Sequence, residues 1–157
     1  FATSFLKLVA DSGFDPARLT VEVTEGGLID DLGAAGDLLA ALRQGGLRVA
    51  IDDFGTGYSN LARLRAMPLD TVKLDPSLIA DIESDEKARV IVQAVIQLIK
   101  GIDCAVVAEA VETVAQADIL RAMGCDIVQG HVFAKAMFED EFLAWTGSAR
   151  GAAKSVA

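Results

Sequence analysis

The chain has 157 residues, 52% apolar and 24% charged, which suffices for one domain with its own core and excludes a disordered segment. Lys and Arg number 14 against 23 Asp and Glu, a formal charge of −9. That balance excludes a non-specific grip on DNA, RNA or anionic lipid, but not a small phosphate ligand held through bound cations.

The elements follow in chain order. Phe1, Phe5, Leu8 and Val9 recur at helical spacing, so the chain opens inside a helix; Phe1 is not an initiator, and the sequence reads as a piece of something longer. Apolar runs at 19–23, 47–51, 71–74, 105–108 and 126–128 predict five strands, and their continuity predicts strands buried on both faces. Between them lie helices with recognisable ends. One covers 37–44 and stops at Gly45-Gly46. A second is capped by Ser84, has Asp85 and Glu86 in its first turn, and stops at Lys100-Gly101. Gln93 and Gln97, four apart, share one face of it. A third begins with the capping box Thr113 and Gln116 and ends at Gly124. A last helix spans 139–145, after which 147–157 is expected to be a disordered tail to a domain of residues 1–146. No stretch has the ~20 apolar residues of a membrane span.

One helix followed by five βα units means an α/β fold, as an open sheet or a barrel. Five units cannot close a barrel of eight. The single histidine, His131, excludes paired-imidazole chemistry, and Cys104 and Cys125 read as reduced, buried thiols rather than a disulfide framework or zinc site.

Each strand finishes in a polar residue. Glu22 and Glu25 mark the first, Asp52-Asp53 the second, Lys73 and Asp75 the third, Glu109 and Glu112 the fourth, and Gln129 the fifth. Five consecutive tips of this kind predict one functional face, where βα loops gather reactive groups. Crowded carboxylates repel, and divalent cations such as Mg²⁺, Mn²⁺ or Ca²⁺ relieve the repulsion. Asp52 and Asp53 face opposite ways in a strand, so both reach one metal only if the strand is ending there, with Gly55 and Gly57 permitting the bend. Lys73 is placed to orient or deprotonate a water, or to steady a phosphate oxygen. Asp30-Asp31, by contrast, reads as a solvated turn. The residues alone leave a metal-dependent phosphoryl-transfer site and an enolase-like site both open.

The stretch Asp52-Asp53-Phe54-Gly55-Thr56-Gly57-Tyr58-Ser59-Asn60-Leu61 is specific. With Glu22-Val23-Thr24-Glu25, Lys73-Leu74-Asp75, Ala108-Glu109-Ala110-Val111-Glu112 and Gln129-Gly130, it resembles the motifs of EAL-domain proteins, the bacterial cyclic di-GMP phosphodiesterases. The resemblance runs from Phe1 to about Trp145. It implies a TIM-like (β/α) barrel, here incomplete, that hydrolyses cyclic di-GMP to the linear dinucleotide with Mg²⁺ or Mn²⁺. It further implies Glu22, Asp52, Asp53 and Glu109 as metal ligands, and Lys73, Glu109 and Gln129 as catalytic groups. Glu25, Asp75 and Glu112 would support the site or anchor the loop after Asp53, and Gly130 and Phe133 would contact substrate. A homodimer through that loop and a cytoplasmic location are expected on the same grounds, with no DNA, RNA or membrane contact from this segment.

Departures exist. The Glu-Ala-Leu signature and an upstream asparagine, both metal ligands in the family, belong to strands this chain lacks. Phe133-Ala134-Lys135-Ala136 stands where Phe-Ser-Lys-Pro is usual, His131 where an aromatic is common, and Ala110 where Gly is frequent. A non-catalytic domain that binds the dinucleotide or a partner is therefore the alternative expectation, especially for these 157 residues alone. The missing strands, or another chain, are expected to cover the first strand's edge.

Overall fold

The computed structural model describes residues 1–24, 26, 32–56 and 61–153. Helix α1 (Ala2–Ser12) leads into β1 (Thr20–Thr24), α2 (Leu32–Gln44), β2 (Arg48–Phe54), α3 (Leu61–Ala66), β3 (Thr71–Leu74) and α4 (Pro76–Ile79). Then come α5 (Glu86–Lys100), β4 (Ala105–Ala108), α6 (Val114–Ala122), β5 (Ile127–Val128) and α7 (Glu139–Ala153). The five strands form one parallel sheet in the order β1-β2-β3-β4-β5. This is the incomplete TIM-like α/β arrangement expected from the alternation of elements.

The pairing register separates two faces. Val21, Val23, Val49, Ile51, Val72, Leu74, Val106 and Ala108 pack with Leu39 and Leu42 of α2, Val92, Ile96 and Ile99 of α5, and Ala117 and Leu120 of α6. Burying these side chains drives the sheet and helices together. The opposite face carries Glu22, Asp52, Lys73 and Glu109, with Thr71 and Val107 below them. The central strands β2, β3 and β4 are buried on both faces, as expected, since Ala50, Lys73 and Val107 of this second face are no more than 9% exposed; the edge strand β1 departs from the expectation. β1 shows this in its alternation, with Thr20, Glu22 and Thr24 exposed and Val21 and Val23 half-buried.

The short helices α3 and α4 have no predicted counterpart, β2 runs on to Phe54, and several other element ends shift. α2 starts at Leu32 rather than 37, because Gly33 and Gly36 weaken the helical signal of its first turn. Asp85, not Ser84, caps α5, accepting from Lys87 N at 2.8 Å; a charged oxygen at the positive helix end is the better acceptor. α7 continues past Trp145 to Ala153, through Ala149, Ala152 and Ala153, which favour helix; 154–157 lie outside the described residues. The capping box at Thr113 and Gln116 forms as expected. Among the described residues no helix is long and apolar enough to cross a membrane.

Candidate active site

Lys73 stands at the focus of three carboxylates. Its side chain is 11% exposed, and its Nζ donates a 2.8 Å hydrogen bond to Glu22 Oε2. Asp52 Oδ1 and Glu109 Oε1 each lie 3.0 Å from the same nitrogen. β1 and β4 are three strand spacings apart, about 14 Å in a flat sheet at ~4.8 Å per strand. Glu22 and Glu109 meet one ammonium because Lys73, on the strand between them in the sheet, carries a long side chain that reaches both.

Asp52 joins them through a bulge. Ile51 pairs with Val72 and Phe54 with Leu74, so Asp52 and Asp53 together oppose the single residue Lys73. The bulge leaves Asp52 beside Lys73 and returns Phe54, 5% exposed, to the helix-covered core. Asp53 absorbs the extra length with a φ of 55°. The strand thus does not end at the acid pair, as the sequence suggested; it runs to Phe54 and bends at Asp53. Asp53 itself is exposed, and Gly57 lies outside the described residues.

Burial by itself disfavours the Lys73 ammonium, yet its interactions with Glu22, Asp52 and Glu109 hold its pKa well above the ordinary lysine range. It is charged at neutral pH. The compensation is uneven, however. Asp52 Oδ1 is buried and, although 3.0 Å from Lys73 Nζ, makes no hydrogen bond of regular geometry. A buried acceptor left in this state is unfavourable.

That orphaned oxygen, in an all-carboxylate donor set, fits a hard divalent cation. Among the described residues no three His, Cys, Asp or Glu side chains stand in metal-holding positions as they are set. Glu22, Asp52 and Glu109 are instead arranged around an ammonium, each with an oxygen 2.8–3.0 Å from Lys73 Nζ.

Beside this cluster lies a recess of about 470 Å³, lined by Glu112, Gln129, Gly130, His131, Lys135 and three alanines. Its volume is in the range of small-molecule sites. Glu112 and Gln129 are exposed on it. Phe133 is 48% exposed and does not line it. Asp75 has a local task, capping α4 by accepting from Ser77 N at 2.8 Å. Glu25 lies outside the described residues.

Two supporting residues are not evident as such from sequence. Gln116 is buried, and its Oε1 accepts from Glu112 N at 2.9 Å and from Thr113 N at 3.3 Å, so the capping box also holds the Glu112 backbone. Its spacing from Thr113 was the available signal. Val111 acts through its main chain, with its N–H donating to Gln129 O at 3.0 Å and its carbonyl accepting from Val132 N at 3.1 Å. Main-chain roles leave no residue-type signal.

Comparison with known proteins places this geometry in context. The EAL domain is matched over residues 1–136. Cyclic di-GMP phosphodiesterase PA2567 of Pseudomonas aeruginosa is 38% identical over 145 residues, covering 92% of this chain and 25% of that protein. The EAL domain of Mycobacterium smegmatis DcpA superposes with a TM-score of 0.85 at 35% identity, over 96% of this chain and 66% of that one. Klebsiella pneumoniae BlrP1, solved as a manganese and cyclic di-GMP complex, gives a TM-score of 0.78 at 33% identity, over 85% of this chain and 34% of that one. The chain spans only 18%, 20% and 17% of the lengths of three further curated relatives.

Proposed function

The chain belongs to the EAL domain family, and we propose that it supplies most of the catalytic rim of a metal-dependent phosphodiesterase that opens cyclic di-GMP to the linear dinucleotide. The observation that carries this reading is the convergence of Glu22, Asp52 and Glu109 on one point at Lys73 Nζ. Those three carboxylates, with Asp53 at the bulge, would hold Mg²⁺ or Mn²⁺. Bound there, such an ion supplies Lewis acidity toward a phosphate oxygen and toward water.

The roles of the chain's own groups follow from their charge. A protonated Lys73 has three N–H donors, which suit it to orient the attacking water and to offset negative charge on the phosphate. The Gln129 amide both donates and accepts, which suits it to fix the direction of that water. The recess of Glu112, Gln129 and Gly130 would take part of the dinucleotide. The water oxygen bonds to phosphorus as one P–O ester bond breaks, and the leaving ribose oxygen takes up a proton. The product is a linear dinucleotide with one terminal phosphate.

The test is incubation of the full-length protein carrying this chain with cyclic di-GMP and Mg²⁺ or Mn²⁺, followed by chromatography. The linear dinucleotide is expected with metal and not with chelator. Recovery of intact cyclic di-GMP from a protein that binds it would overturn the catalytic reading in favour of a binding module.

A further inference from the structure

Glu22, Asp52 and Glu109 bring three negative charges to a point where Lys73 returns one positive charge, so the cluster keeps a formal excess of two negative charges. Carboxylates held this close repel one another strongly where water is partly excluded, and Glu109 and Asp52 are only 19% and 24% exposed. Without a cation between them they would spread apart. The ammonium holds them in place, but only Glu22 receives a directed hydrogen bond, and the buried Asp52 Oδ1 is left without one.

Resting on the reading of this rim as a divalent-cation site, we propose that Lys73 is the resident counter-ion of the metal-free protein. Its ammonium holds the three carboxylates together, and an arriving divalent cation takes those contacts over from it. Lys73 is suited to this exchange. An ammonium on a flexible four-carbon stem can leave a carboxylate cluster without moving the backbone. A doubly charged ion also matches the residual charge that one ammonium cannot. Two consequences follow. The ion must compete with Lys73, which weakens metal binding. Displacement in turn frees the ammonium to face water and phosphate, so metal loading makes the positioning group available.

The test compares wild type with Lys73→Met in the full-length protein by Mn²⁺ titration, read by the electron paramagnetic resonance of free Mn²⁺, with thermal denaturation alongside. Lys73→Met is expected to unfold at lower temperature without metal, yet to bind Mn²⁺ more tightly than wild type, because a competing positive charge is gone. A merely structural lysine would lower both stability and metal affinity. Equal or weaker Mn²⁺ binding by a folded variant overturns the counter-ion role and leaves the metal site standing. Failure of wild type and variant alike to bind Mn²⁺ overturns the metal reading itself.

Should the variant not fold, the wild-type Lys73 ammonium can be followed by ¹⁵N–¹H magnetic resonance. Its protons are expected to be slow to exchange without metal and to lose that protection on Mg²⁺ saturation. An unchanged signal at saturation overturns the proposal.

Discussion

Gly130 packs so tightly on Val111 that a Cβ added to it would stand 2.1 Å from the Val111 carbonyl oxygen and 2.3 Å from its nitrogen. The same segments are latched by the hydrogen bonds Val111 N to Gln129 O and Val132 N to Val111 O. Because the obstacle is main chain in the loop after β4, no side-chain rotation relieves it. This contact sets where Gln129 stands relative to Glu109 and Glu112.

Gly130→Ala is accordingly expected to push the two loops apart. Overpacking of this kind costs about 1–3 kcal/mol, and the recess beside Gln129 should deform with it. Thermal denaturation should show the loss, and affinity for cyclic di-GMP should fall. Wild-type values for both would show that the contact yields freely.

A second glycine carries a different constraint. Gly55 has a φ of +109°, and a Cβ there would meet Leu78 Cδ1 at 2.5 Å. Gly55→Ala should destabilise by about 1–3 kcal/mol from backbone strain with the clash added. Combining it with Leu78→Ala should recover the clash and not the strain, so the double mutant should be less destabilised than the sum of the singles. Strict additivity would refute the contact.

Asp52→Asn removes one charge from the carboxylate cluster while keeping its shape. Loss of metal affinity should exceed the ~10–100-fold typical of groups that only support a ligand. Metal-dependent hydrolysis by the full-length protein should fall with it. Unchanged Mn²⁺ affinity would remove Asp52 from the ligand set.

Asp126 makes a pH-dependent prediction. Its Oδ1 pairs with Lys100 at 2.6 Å and its Oδ2 accepts from Val106 N at 2.9 Å. The Lys100 hydrogen bond, with that of Val106, lowers its pKa from the ordinary 3.8. A carboxyl whose pKa is depressed by folding adds stability above its unfolded pKa, and loses it as pH falls through the folded value. Asp126→Asn should therefore melt below wild type at pH 7, with the gap closing below pH 3.8. Salt should narrow the gap at pH 7, since the pair is partly exposed. A gap independent of pH would exclude the ion pair as its source.

Much of the site was legible in one dimension. Polar residues at five successive strand tips marked the functional face, and the structure brings Glu22, Asp52, Lys73 and Glu109 of that set together. Asp126 was read only as the start of a strand, although it and Asp70 do the same work. Asp70 pairs with Arg43 and accepts from Val49 N at 2.8 Å, tying helix end to strand start as Asp126 does. Such ties span 21 and 20 residues and leave no local pattern.

By itself the sequence determined the order of the strands and longer helices, the face that would be reactive and the kinds of group on it, because apolar period, caps and strand ends are local properties. Tertiary structure decided the rest. It placed the extra residue of the acid pair in a bulge opposite Lys73 and set Gly130 against Val111. Above all it brought Glu22 and Glu109 to a single ammonium. Which side chains meet across the sheet depends on strand order and pairing register, and those belong to the assembled sheet rather than to any segment of chain.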